Sequence, residues 1–118
     1  MKITLREIIE VNHNLTSIAG KELPSRLSYS LARVQSQITE PVKAFNKTHS
    51  ELVKKYGAEQ KDKLLKVTEE NMEVFTKEIN LIMDVDEVID FAPMNISLFD
   101  GQLFSKEFFI ALNKFITE

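Results

Sequence analysis

The stretch PSRLSYSLARVQSQITEPVKAFNKTHSELVKKY, residues 24–56, decides the fold. Its apolar residues are Leu27, Leu31, Val34, Ile38, Val42, Phe45, Leu52 and Tyr56, with His49 in the remaining slot, so the steps are three or four throughout. At about 3.6 residues per turn these positions form a single stripe along a helix; a strand, with its period of two, cannot produce them. Arg26, Arg33, Lys43, Lys47 and Lys54 fall mostly outside the stripe and give the helix a basic exterior. Unbroken, it would run about 50 Å at 1.5 Å per residue, which is long for a domain of this size. Pro41 lies in its middle. An interior proline removes one backbone hydrogen bond and clashes with the preceding turn at a cost of about 3 kcal/mol. The helix is therefore expected either to kink between Gln37 and Pro41 or to divide there, with Thr39 or Glu40 capping its second part. The stripe keeps its phase from Ile38 through Val42 to Phe45, which favours the kink.

On the N-terminal side, Lys2-Ile3-Thr4 reads as a short extended start, and Thr4 with Glu7 fits a capping box opening a first helix. Leu5, Ile8, Ile9, Leu15, Ile18 and Ala19 are its apolar face, and Gly20 supplies the residue that closes it. Lys21 to Leu23 is a tight link, and Pro24 suits the first turn of the next helix, where its missing N–H has no intrahelical partner to lose. So short a link predicts an antiparallel helical hairpin over 1–57.

On the C-terminal side, Tyr56-Gly57 ends the long helix, and residues 58–66 read as an exposed turn or a frayed extension. Thr68 with Glu69 and Glu70 marks the entrance of a third helix, capped by the Thr68 side chain. Met72, Phe75, Ile79 and Ile82 form its face, lying against the hairpin and ending near Asp84. The period changes at Val85. Val88, Ile89 and Phe91 among Asp86, Glu87 and Asp90 predict one strand, punctuated by Ala92-Pro93. Ile96 and Leu98, alternating with Asn95 and Ser97, predict a second short strand or extended edge before the turn at Phe99-Asp100-Gly101. Ser105 caps a final helix bearing Phe108, Phe109, Leu112, Phe115 and Ile116. The fold class is mainly α: a long antiparallel helical hairpin plus a third helix, with a small C-terminal β segment and a final helix, in one domain over 1–118.

Composition narrows the function classes. A 43% hydrophobic fraction in 118 residues supports a core without metal or disulfide. With no cysteine there is no thiolate nucleophile, no disulfide framework and no cysteine zinc site. The opening residues lack the apolar run of a signal peptide, and no stretch approaches the roughly 18 apolar residues of a membrane span, so a soluble, unprocessed protein is expected. The net charge of −3 is unevenly spread: residues 1–57 carry nine Lys/Arg against five Asp/Glu, and residues 58–118 carry six against thirteen. Such halves can attract each other, within a chain or between copies, or steer the acidic half toward a basic partner.

No catalytic constellation emerges. His13 and His49 are the only histidines, match no H-x-x-x-H or H-E-x-x-H spacing, and would have to meet across the hairpin to hold a metal. Asp84, Asp86, Glu87 and Asp90 are the densest carboxylates, but the D-x-D-x-D-G order and distal Glu of a calcium loop are missing; acids on an edge strand also discourage unwanted pairing. The basic face of the long helix lacks interleaved aromatics in a chain that is acidic overall, which argues against nucleic acid. Three glycines form no phosphate loop, nucleophile elbow or dinucleotide fingerprint. Three glycosylation sequons, beginning at Asn14, Asn46 and Asn95, carry no weight without a secretory signal. The expectation is no enzyme, no cofactor, no metal, no nucleic acid and no membrane. Five of the eight phenylalanines lie in the last twenty residues, more than one short helix easily buries. Either they join the final helix to the rest of the core, or Phe104, Phe108, Phe109 and Phe115 face a partner.

In this order the chain resembles a loose group of short proteins encoded by tailed bacteriophages and prophages. The resemblance rests on MKITLREII at the start, ELPSRLSYSLARV entering the long helix, ELVKKYG closing it, VTEENMEVFTKEINLIMDVDEVIDF after the turn, and the closing LNKFITE. Pro41 departs from the uninterrupted long helix expected of the group, and no functional residue is carried over. The resemblance implies the bacterial host cytoplasm or the virion as the setting, and a protein partner from phage or host. The expected role is a non-catalytic interaction module, an assembly or accessory component of a phage particle; the alternative is an inhibitor of a bacterial host factor or immune effector. The long stripe can be covered within a monomer or partly by another subunit, so a homo-oligomer is one of the expected forms.

Overall fold

The computed structural model describes residues 1–60, 64–90 and 93–118. The chain opens with β1 (Lys2–Thr4), which runs directly into α1 (Leu5–Ser17). The Thr4 hydroxyl accepts the Glu7 backbone N–H, and the Glu7 carboxylate accepts the Thr4 N–H, each at 3.2 Å, completing the expected capping box. After Ser17 the chain turns through Gly20 at φ +87, where only glycine avoids a Cβ penalty. Pro24 then precedes α2 (Ser25–Tyr56). On α1 the buried residues are Leu5, Ile8, Val11 and Leu15. Val11 completes the inward face that the sequence reading drew without it, whereas Ala19 lies exposed beyond the helix end. Gln35 donates a side-chain hydrogen bond to Asn12 Oδ1 at 3.1 Å, pinning the register of the hairpin.

α2 is continuous through Pro41, so the dividing alternative is excluded. Thr39 caps nothing: its hydroxyl donates back to the Gln35 carbonyl at 2.7 Å, as a helix-interior threonine does. Leu27, Leu31, Val34 and Ile38 are buried, and each contributes about 1.5–3 kcal/mol by leaving water. Beyond Ile38 no α2 residue is fully buried; Val42, Phe45, His49, Leu52 and Tyr56 are only half-covered. At its 32 residues α2 matches the longest dimension of the molecule, 49 × 31 × 22 Å, and the 17.0 Å radius of gyration exceeds the roughly 13–14 Å of a compact chain this long.

The region expected to be a turn or frayed extension is instead a hairpin of β2 (Gly57–Glu59) and β3 (Leu65–Val67), antiparallel, with Gly57 opposite Val67. Residues 61–63 lie outside the described residues. Gly57 makes this possible, because a Cβ there would strike the Val53 carbonyl and come within 3.0 Å of the Lys66 carbonyl oxygen. A 3-10 turn at Glu69–Asn71 then leads into α3 (Met72–Met83). Thr68 has the extended backbone of a cap, but its hydroxyl is buried without a hydrogen bond and does not cap as expected. The junction is fastened from the other side: the Thr68 N–H and the Asn71 side-chain amide both donate to the Tyr56 carbonyl at 3.2 Å.

The strand expected after Val85 is present as β4 (Asp86–Val88), antiparallel to β1 with Ile3 opposite Glu87. Phe91 and Ala92, in the expected strand and its punctuation, lie outside the described residues. Met1 extends the pairing, exchanging two 2.8 Å hydrogen bonds with Ile89. The second strand is displaced: β5 (Met94–Asn95) precedes a 3-10 turn at Ile96–Phe99, where alternation predicted extended chain. The Asn95 side chain accepts the Ser97 N–H at 2.8 Å and folds the backbone over. Ser105 caps the final helix as expected, accepting the Phe108 N–H at 3.1 Å, but α4 (Lys106–Ala111) is shorter than its apolar spacing suggests. A 3-10 turn at Asn113–Phe115 tightens the chain so that β6 (Ile116–Thr117) pairs in parallel with β5.

Candidate interaction surface

Of the two readings open for the C-terminal phenylalanines, core or partner surface, the structure gives core for Phe108 and Phe115. Phe108 and Phe115 are 1% and 0% exposed and have no area to offer a partner; this corrects their proposed role. Phe104 and Phe109 are half-buried against them. Phe104 stacks on Phe108 with ring centroids 4.5 Å apart, and Phe99 meets Phe104, Phe108 and Phe109 edge-on at 5.4–6.1 Å. Aromatic rings prefer these offset and T-shaped arrangements, so the cluster is satisfied by its own members. Lys21 closes its outer side, with Nζ 4.5 Å above the Phe104 ring and donating to the Leu103 carbonyl at 2.6 Å.

Two of the four clustered acids are engaged within the chain. Asp86 pairs with Lys2 at 3.2 Å and Asp84 with Arg6 at 3.3 Å, joining the acidic half to the basic half. Both pairs are solvent-exposed, so each contributes about 0–1 kcal/mol. Among the described residues no group of three or more His, Cys, Asp or Glu is placed to hold a metal ion. His13 is exposed on α1, whereas His49 lies between Phe45 and Phe75, its ring 5.8 and 5.7 Å from theirs. Glu7 has a carboxylate shifted from its ordinary range by its surroundings. Burial raises its pKa, but the hydrogen bond and charge of Lys114, at 2.9–3.0 Å, together with the Thr4 donors, outweigh this and hold it below the usual range.

The surface that remains unfinished is the outer half of α2 with α3. α3 presents two adjacent apolar stripes. Phe75, Ile79 and Ile82 turn toward α2, and Val74 and Leu81, seven apart, lie on the neighbouring stripe with Val85 just beyond the helix end. None of the α3 residues is fully buried, and Leu81 is 68% exposed. Between the helices runs an open groove of about 270 Å³, lined by Thr48, Leu52, Glu78, Leu81 and Ile82. It continues past Thr48 and Ile82 into a hollow of about 140 Å³ bounded by Pro41, Ala44, Phe45 and Val85. One Glu78 carboxylate oxygen is buried at this groove without a hydrogen bond. Met72, placed on the packed face by its spacing, is exposed at the first turn of α3. The second stripe was visible in the sequence as the seven-residue step from Val74 to Leu81; counting only the stripe through Phe75 and Ile82 hides it.

Among the described residues no helix is long and apolar enough to cross a membrane. Comparison of the chain with protein-family models, with characterised proteins and with solved structures gave no significant match.

Proposed function

We propose that the chain is a non-catalytic protein-binding module that acts as an assembly or accessory component of a phage particle, in the virion or the bacterial host cytoplasm. The observation that carries the binding role is the α2–α3 groove: an open, mostly apolar groove with Leu81 on its edge and Val74 and Val85 exposed, between α3 and the part of α2 beyond Ile38, neither of which has a fully buried residue. Exposed apolar surface arranged along a groove mark sites where another chain docks. The phage setting rests on the resemblance of the sequence stretches quoted above. A second reading, inhibition of a host factor or immune effector, draws on the exposed acidic residues Glu69, Glu70 and Glu73 at the start of α3, which suit a basic target.

Affinity capture of the tagged chain from infected cells, together with mass spectrometry of purified particles, tests this. Recovery of capsid or tail proteins by the wild type, lost in Leu81→Glu, supports the assembly role. Recovery of one host protein, lost in the same variant, replaces it with the inhibitor reading. Absence from particles, with recovery indifferent to Leu81→Glu, overturns the groove as the functional surface.

A further inference from the structure

We propose that α2 is jointed at Pro41, so that its outer half, the β2–β3 hairpin and α3 swing as one arm against the body formed by α1, the first half of α2 and the C-terminal segment. The inference goes beyond the protein-binding reading and does not rest on it.

Two local features weaken the same turn of α2. Pro41 has no N–H, so the Gln37 carbonyl lacks its helical partner, and bends in long helices concentrate at such sites. The Thr39 hydroxyl donates to the Gln35 carbonyl at 2.7 Å, a back-bond that also favours bending. This turn coincides with a change in cover: Ile38 is 0% exposed, and beyond it no α2 residue is fully buried. A helix bends most easily where its ladder is interrupted and its packing ends.

The path of the chain supplies the other half of the joint. It enters the arm at Pro41 and leaves it after α3, at Asp84; Val85 already belongs to the body, its carbonyl accepting the Leu5 N–H at 2.8 Å. Both crossings border one hollow of about 140 Å³, which Pro41, Ala44, Phe45, Ile82 and Val85 help to line. A close-packed seam would resist movement there, whereas a void gives the neighbouring side chains room to shift. The rest of the seam is light: Val42, Phe45 and Ile82 are only partly buried against the core, and Arg6 reaches Asp84 and Asn80 through exposed contacts at 3.3 and 3.4 Å. Within the arm the parts are tied together, because the Thr68 N–H and the Asn71 amide both donate to the Tyr56 carbonyl at 3.2 Å. Two units held together internally and joined at two neighbouring crossings form a hinge.

Backbone N–H residual dipolar couplings of the full chain test it, because they average over the microsecond-to-millisecond motions of hinges. Couplings from α1 and residues 27–38 give the degree of order of the body, and those from residues 45–56 and α3 give that of the arm. In the wild type the arm should show the lower order of the two; a fixed bend would turn the arm without lowering its order. Pro41→Ala restores the missing N–H and removes the ring, and should bring the order of the arm up to that of the body. If circular dichroism shows that this variant has changed fold, Thr39→Val, which removes only the back-bond, serves instead and should raise the order of the arm part of the way. Equal order in arm and body of the wild type overturns the joint. A lower order in the arm that the substitution leaves unchanged overturns it as well, since the motion then arises away from Pro41.

Discussion

The two halves of α2 follow one sequence pattern and meet different fates. Leu27, Leu31, Val34 and Ile38 disappear beneath α1 and the C-terminal segment, while Val42, Phe45, Leu52 and Tyr56, on the same stripe, stay half-covered. Amphipathic spacing shows which face of a helix seeks cover; it does not count the elements available to provide it. The first half has two layers over it, because Leu112, Phe108 and Phe115 close the core above α1 and α2. In the second half Val42 and Phe45 reach the edge of that core, and beyond them the helix packs on the β2–β3 hairpin and on α3, whose own residues remain partly exposed. One end of the molecule is therefore a finished core and the other an arm whose apolar surface is still in contact with water.

The largest expected effects lie at the finished end. Phe108→Ala should cost about 3–5 kcal/mol and Ile38→Ala about 2–5 kcal/mol in chemical denaturation, whereas Leu52→Ala, on the same stripe in the arm, should cost about 1 kcal/mol. Equal losses at Ile38 and Leu52 would erase the distinction between the halves. Next, Gly57→Ala places a Cβ against the Val53 carbonyl, which cannot yield without moving backbone. About 1–3 kcal/mol of stability should be lost, with the proteolytic sensitivity of the hairpin rising before that of α1.

A smaller effect tests the fastening of α1 to the C-terminal segment through Glu7 and Lys114. Because the folded-state pKa of Glu7 lies below its ordinary value, its contribution is present above the usual carboxylate range and lost as pH falls through the folded pKa. Stability measured from neutral pH down to about pH 3 should therefore fall less in Glu7→Gln than in the wild type. An unchanged acid profile would remove Glu7 from the stabilising set. Smallest of all, Leu81→Glu should alter stability by about 0.5 kcal/mol or less, since its side chain is mostly in water already.

The helices were legible because they depend on local signals. Thr4 with Glu7, Gly20 and Ser105 sit where the sequence put a cap, a closure and a cap, and the phase-keeping stripe carried α2 through Pro41. What escaped were contacts set by distant partners. Leu65 and Val67 become a strand because Gly57 lets the chain pass close to Lys66, and Ile116 leaves the helical pattern because Met94 is there to pair with it. The phenylalanines stayed open to two readings for the same reason: a row of them looks identical in sequence whether it covers itself, as Phe99, Phe104, Phe108 and Phe109 do, or awaits another chain. Leu81 and Val74 gave the quieter signal of a second stripe on a helix with too little core to bury it.

Native-state hydrogen exchange in dilute solution tests the division of the molecule most directly. Amides of α1 and of residues 27–38 should exchange only through global unfolding, and those of residues 45–56 and of α3 through local openings of distinctly lower free energy. Protection that is uniform along the whole of α2 and reaches the global value in α3 would mean that the arm is as complete as the core, and would contradict the account.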